Sequence, residues 1–370
     1  MVIILHKRKI DIWLLITIVV LSLIGLLIVY SASNAIALKE HNDQFYYFKR
    51  QLIFLFLGYL LMYFITKMNI IKYQQYAGTV FLICLVLLLL VLIPGIGIVR
   101  GGARSWIGFK GFSIQPSEFI KLGLIGIYAK YLSENYQDLK KFKNFLMLFS
   151  LTVVIFLIIM LQPDFGTGLI IVASATVLIY ISGVPLKYFI LILAIGLCGV
   201  AFLIISAPYR IARIMAFINP WQDPLGSGFQ GIQSLFAITP GGLFGHGFNK
   251  SMQKHFFLPE PQNDFIFAIL LEEFGLIGGA IVMALYYFAL YRSFKIGLST
   301  DNNFLMFLCV GIAASLAVQV IINIAVVVGL LPVTGITLPL FSYGGSSLVL
   351  TLVSFGVVLS ASKYQNYDYR

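Results

Sequence analysis

Charge is scarce in this sequence. Only 11% of its 370 residues are Asp, Glu, Lys or Arg, against 60% hydrophobic. A soluble domain carries about 25% charged residues, so this chain cannot cover a water-facing surface. Cysteine and histidine are almost missing as well. Cys84, Cys198 and Cys309 all lie in apolar runs with no CxxC spacing, which argues against a disulfide framework. His6, His41, His246 and His255 are too scattered for a zinc constellation. Nor is there a basic, aromatic surface outside the apolar runs, so the net charge of +11 is not a nucleic-acid footprint. Attraction of loop lysines and arginines to anionic lipid is the better use of that charge.

What the chain does have is apolar runs of the length that crosses a bilayer, about 20 residues. They predict an all-α integral membrane protein of about ten transmembrane helices, near 12–33, 51–66, 77–94, 117–132, 145–161, 167–184, 188–207, 264–291, 304–330 and 342–362. Lys7, Arg8 and Lys9 before the first run resemble a signal peptide. The uncharged run Ile12–Tyr30 is too long for a cleaved h-region of about 7–15 residues and reads as a permanent span. Counted by loop, 14 Lys and Arg lie on the side of the termini, Lys141 and Arg292 among them, and 10 on the other. That bias predicts both termini in the cytoplasm and a long extracytoplasmic loop, about 208–263, between the seventh and eighth spans. No periodic repeat or low-complexity linker divides residues 1–370, which read as a single polytopic domain.

Ionisable residues at membrane depth are expensive and are functional candidates by default. Glu118 and Lys121, at i,i+3, face one another on a helix; they form either a neutralising structural pair or a catalytic one. Asp164, in Gln162-Pro163-Asp164-Phe165-Gly166, is a helix cap or a carboxylate lining a cavity. Gln115-Pro116-Ser117-Glu118 repeats the Gln-Pro-polar pattern, and such segments suggest helices broken inside the membrane. In the long loop, Arg210 and Arg213 stand one turn apart, a spacing that suits phosphate recognition or interfacial snorkelling equally. The glycines of Gly241-Gly242-Leu243-Phe244-Gly245-His246-Gly247 allow tight turns and close backbone approach to a ligand. Asp264 closes the loop at the start of the eighth span, with Asn263 as a candidate cap. There it can act as a general base at the membrane interface or as a first-turn acid complementing the dipole. Glu272 and Glu273 lie deeper, about 80° and about 180° around an ideal helix from Asp264; the three cannot all face one cavity, so these glutamates read as structural.

The segments Gln115–Lys121, Gln162–Thr167, Asp223-Pro224-Leu225-Gly226, Gly241–Gly245, Leu258–Ala268 and Phe341–Ser347 together resemble the SEDS family of shape, elongation, division and sporulation proteins. Arg100-Gly101-Gly102-Ala103-Arg104-Ser105-Trp106-Ile107 and the Pro259-Glu260-Pro261-Gln262 preceding Asp264 are more similar to its FtsW and SpoVE branch than to RodA, although Asn263 stands where many relatives carry Thr. The resemblance implies a peptidoglycan glycosyltransferase that polymerises lipid II, a disaccharide-peptide on undecaprenyl pyrophosphate, with a class B penicillin-binding protein as partner. It implies that Asp264 is the essential residue and that Glu118 and Lys121 form an important ion pair. Arg210, Arg213, Asp164 and Gly242 are the candidate substrate-binding residues. A divalent cation, Mg or Mn, is an alternative to the arginines as counter-charge for the leaving pyrophosphate. The competing reading is a transporter that flips lipid II across the membrane, since many spans, broken helices and intramembrane charges suit that also.

Overall fold

The computed structural model describes residues 9–366 except 101, 110–111, 136–140, 206–210, 212–214, 216 and 227. Its helices are α1 (Ile12–His41), α2 (Tyr46–Lys67), α3 (Tyr73–Leu90), α4 (Pro116–Asn135), α5 (Phe142–Met160), α6 (Phe165–Ile181), α7 (Leu186–Ile205), α8 (Phe229–Gly241), α9 (Ile266–Leu298), α10 (Asn303–Val327) and α11 (Gly345–Ala361). Each of the ten expected spans coincides with a helix, and α8 is an extra helix inside the long loop. Among the described residues, seven helices are long and apolar enough to cross a membrane by themselves. Two others fall short for physical reasons: α6 has only 17 residues, and α4 carries Glu118, Lys121 and Lys130.

Helices α10 and α11 are the most enclosed of the membrane-length helices. Helix α10, apolar over most of its surface, touches α4, α6, α9 and α11. Around it α11 packs on α2, α3 on α4, α5 on α6, and α1 on both α2 and α9. Helix α7 meets α5 through stacked rings, Tyr188 on Phe145 and Phe189 edge-on to Phe145.

The two ends of the bundle are tied differently. At the end holding the N-terminus of α1, Asp11 caps that helix by accepting from Leu14 N at 2.9 Å, donates its own N–H to Ser362 Oγ at 3.0 Å, and pairs with Arg292. Lys363 donates to the Thr66 carbonyl at the same end. Arg292 was expected to be a solvated loop residue. Instead it neutralises a nearly buried carboxylate and joins the far end of α9 to the start of α1.

The opposite end carries two features that hydropathy did not predict. Residues 97–114, expected to be loop, form a three-stranded antiparallel sheet of β1 (Gly97–Arg100), β2 (Ala103–Phe109) and β3 (Phe112–Ile114). Gly102, at φ +82°, lies in the turn between the first two strands. The second feature is a break in α9. Gly275, at φ 64° and ψ −166°, interrupts it and leaves a short segment, 266–274, ahead of the main shaft. The glycine-rich strip 241–247 fills the break. Leu276 N donates to the Gly242 carbonyl at 2.9 Å, Ile277 N to Leu243 at 3.1 Å, and Gly247 N to the Glu273 carbonyl at 2.8 Å. The close approach these glycines allow is thus made to the backbone of α9. In particular, a Cβ on Gly245 would lie 2.2 Å from the Glu273 carbonyl oxygen.

That contact gives a test of the fold. Gly245→Ala combines a clash with backbone at a φ of +74°, and should cost more than about 2 kcal/mol. Gly231→Ala, in α8 with nothing within 4 Å of the new methyl, should leave stability unchanged or raised. Thermal unfolding of the two purified variants checks the contrast.

Candidate functional site

Asp264 lies just ahead of α9, whose first helical residue is Ile266. Its backbone is held from the central helix: Asn323 of α10 donates through Nδ2 to the Asp264 carbonyl at 2.8 Å and to the Ile336 carbonyl at 2.7 Å. Two residues earlier, the Gln262 carbonyl accepts from Tyr343 N at 2.8 Å. The Leu258–Ala268 motif and the Phe341–Ser347 motif therefore share backbone hydrogen bonds. The expected cap by Asn263 is not made. The N-cap position falls on Phe265, without a side-chain cap bond, and Asn263 Nδ2 instead donates to Glu260 at 2.6 Å. Asp264 itself is half-buried.

The pair Glu118–Lys121 is present as read from its spacing. Lys121 Nζ lies 2.9 Å from each Glu118 carboxylate oxygen, and both side chains are about nine-tenths buried. The third donor of Lys121 goes to Gln319 Oε1 on α10, at 3.0 Å. Gln319 Nε2 then donates to the Thr337 carbonyl at 2.9 Å. A small half-open cleft beside the pair is lined by Glu118, Lys121, Ser315, Gln319, Thr351 and Ser354.

The two Gln-Pro-polar motifs meet. Asp164 caps α6 by accepting from Thr167 N at 3.1 Å, and accepts from Gln115 Nε2 at 3.0 Å. Glu118 lies within electrostatic range of it. Capping thus accounts for Asp164, and a hydrogen bond to the neighbouring motif accompanies it. Gln162 Nε2 donates to the Leu88 carbonyl at 3.1 Å, fastening the same turn to the end of α3.

Glu272 and Glu273, expected to be structural, make contacts that their sequence positions concealed. They hold the outer loop. Glu272 accepts from Met252 N at 2.7 Å and from Ser251 Oγ at 2.5 Å, while Glu273 accepts from Ser31 Oγ on α1 at 2.5 Å and pairs with Lys254 at 3.7 Å. Lys254 is only 1% exposed, and its ammonium also donates to the Asn249 carbonyl at 2.8 Å. Burial holds the Lys254 ammonium below its ordinary pKa, and Glu273 and Glu272 oppose that shift. Sequence reading missed Lys254, because nothing in its local pattern distinguishes it from a solvated loop lysine.

Arg210 and Arg213 lie outside the described residues. Gly242 contributes its carbonyl to the break in α9, as described above. Among the described residues no three His, Cys, Asp or Glu side chains gather where they could hold a metal ion.

The geometry makes the ion pair testable. Removing one partner of a buried pair costs about 3–5 kcal/mol, because the other charge is stranded. A Glu118→Lys, Lys121→Glu swap keeps the charges paired and should recover part of the activity lost in either single variant. Its recovery will be incomplete, because the swap removes the ammonium that donates to Gln319. Activity and thermal unfolding of the three variants check this.

The geometry can now be set beside known proteins. A family model for FtsW, RodA and SpoVE, described as cell cycle proteins, matches residues 12–367. Stage V sporulation protein E of Bacillus subtilis (strain 168) is 49% identical over 362 residues, covering 98% of this chain and 99% of that protein. A probable peptidoglycan glycosyltransferase FtsW of Geobacter sp. (strain M18) is 39% identical, covering 95% and 96%. Among solved structures, a chain from a peptidoglycan synthase complex that coordinates polymerization and crosslinking superimposes with a TM-score of 0.74 at 29% identity, covering 96% of this chain and 99% of that one. The Thermus thermophilus rod shape determining protein RodA superimposes with a TM-score of 0.68 at 26% identity, covering 96% and 98%. A match across nearly the whole chain, with the expected motifs brought together at one end of the bundle, leads to one conclusion: this chain belongs to the FtsW/RodA/SpoVE family of integral membrane proteins.

Proposed function

We propose that the chain is a peptidoglycan glycosyltransferase that polymerises lipid II, with Asp264 as its general base. The observation that carries the assignment of the base is the convergence on Asp264: a half-buried carboxylate at the mouth of the bundle, its backbone clamped by Asn323 and its loop bonded to the Tyr343 turn. The whole-length likeness to enzymes named for this activity supports the reaction class.

The chemistry asks for little more. The donor sugar is α-linked to pyrophosphate and the product link is β-1,4, so the reaction inverts and needs no covalent nucleophile. Asp264 takes the proton of the acceptor 4-hydroxyl as that oxygen attacks the anomeric carbon. The bond from the anomeric carbon to the pyrophosphate oxygen breaks, and undecaprenyl pyrophosphate departs as an anion that needs no protonation. It needs positive charge, which Arg210 and Arg213 would supply from the outer loop. A divalent cation, Mg or Mn, is the alternative counter-charge; among the described residues no three His, Cys, Asp or Glu side chains gather to hold one. Lipid II keeps its prenyl tail in the bilayer, which places the reaction at the membrane surface where loop 208–263 meets α9. Both termini then face the cytoplasm, and a class B penicillin-binding protein would crosslink the strand that is made.

Asp264→Asn retains size but cannot accept the proton, and loss of a general base costs about 10²–10⁴ in rate. The purified variant should express, bind its partner and bind lipid II, yet make almost no polymer in a glycan-chain assay. Near wild-type polymerisation by the variant sinks the base assignment. Absence of polymer from wild type, together with lipid II translocation, brings the flippase reading forward.

Topology has its own check. A cysteine near Lys250 should react with an impermeant thiol reagent on intact spheroplasts, and one near Lys141 should not. The reverse pattern contradicts the outer placement of loop 208–263.

A further inference from the structure

Two amides in the middle of an apolar helix call for an explanation. Gln319 and Asn323 lie on α10, are 3% and 1% exposed, and stand one turn apart at i,i+4. Burying an amide is costly unless its polar atoms are hydrogen-bonded, and here the bonds run in one direction. Gln319 takes a hydrogen bond from Lys121 and gives one to the Thr337 carbonyl. Asn323 gives one to the Ile336 carbonyl and one to the Asp264 carbonyl. Ile336 and Thr337 are adjacent, so the two amides grip consecutive peptide units of the segment between α10 and α11.

We propose that Gln319 and Asn323 are positioning residues for the polymerisation reaction: a buried relay from the Glu118–Lys121 pair through α10 and residues 336–337 to the backbone of Asp264. The inference rests on the reading of Asp264 as general base. It gives the ion pair a role in catalysis without contact with substrate. Glu118 holds Lys121, Lys121 fixes the rotamer of Gln319, and the rigid turn of α10 sets Asn323 against the Asp264 carbonyl. A misplacement of about 1 Å at a reacting group can cost 10²-fold in rate, and the carboxylate of Asp264 starts from the backbone atom that Asn323 holds. The 336–337 segment is the common member, so loss of any link frees the same backbone.

A serial relay has a signature that independent stabilising contacts lack. Lys121 and Asn323 share no direct bond, and effects at such separated positions ordinarily add. The test is a double-mutant cycle on the full chain with its partner, using initial rates of lipid II polymerisation. Lys121→Met and Asn323→Ser should each lower kcat about tenfold to a hundredfold, with KM changed by less than about threefold. The double variant should fall no further than the worse single one. If the kcat losses multiply, or appear in KM, the relay is wrong. Thermal unfolding and partner co-purification check each variant's fold. Should Asn323→Ser not fold, Gln319→Met, close to isosteric and without either bond, takes its place in the cycle under the same criteria. Asp264→Asn assayed alongside separates the two failures: if it is active, the base reading falls, and if it is inactive while the cycle is multiplicative, only the relay falls.

Discussion

Lipid gives a polar group nothing to bond to, and most of the irregular features of this protein answer that constraint. Each charge in the enclosed part of the bundle has a partner on another element or one turn away. Glu118 has Lys121, Glu273 has Lys254, and Asp11 has Arg292. The break in α9 at Gly275 exposes backbone groups that a continuous helix would satisfy, and the strip 241–247 supplies their partners. The same requirement concentrates the irregular backbone at one end of the bundle, where the sheet 97–114, the turn 162–164, the strip 241–247 and the segment 328–344 lie. A membrane enzyme acting on a lipid-linked sugar needs non-helical backbone to form a site. These features collect it at one end of the bundle.

Legibility in the sequence followed the range of the interactions. Hydropathy located the ten apolar segments because each is a local property of about 20 residues. The i,i+3 spacing was enough to pair Glu118 with Lys121, and Asp164 was legible as a cap from the polar residue preceding Phe165. Long-range partners were not legible. Lys254 reaches Glu273 and Ser31 across the fold, and Arg292 reaches Asp11 across most of the chain. Hydropathy treats both as ordinary loop cations. The sheet had a local signal, Arg100-Gly101-Gly102-Ala103, a glycine pair of the kind that closes a hairpin. It was overlooked because the flanking strands are only a few residues long. Gln319 and Asn323 were overlooked because two neutral amides barely disturb the hydropathy of a 25-residue helix.

The glycine motif has a partner that the sequence did not name. Gly241–Gly245 do permit close backbone approach. What they approach is α9, and the result is a short segment, 266–274, fixed at both ends. Asn323 holds the backbone just before that segment, and Glu272 and Glu273 anchor its other end to the outer loop and to α1. Asp264 thus sits at the tip of an element held from two sides.

The central claim is that Asp264 receives the acceptor proton. A structure of the full chain with its partner and lipid II, stalled by Asp264→Asn, tests it most directly. The account predicts the acceptor 4-hydroxyl within about 2.6–3.2 Å of the side chain at position 264, with the donor pyrophosphate facing the segment that carries Arg210 and Arg213. An acceptor hydroxyl seated instead against Glu118, with position 264 turned away from both sugars, would contradict it.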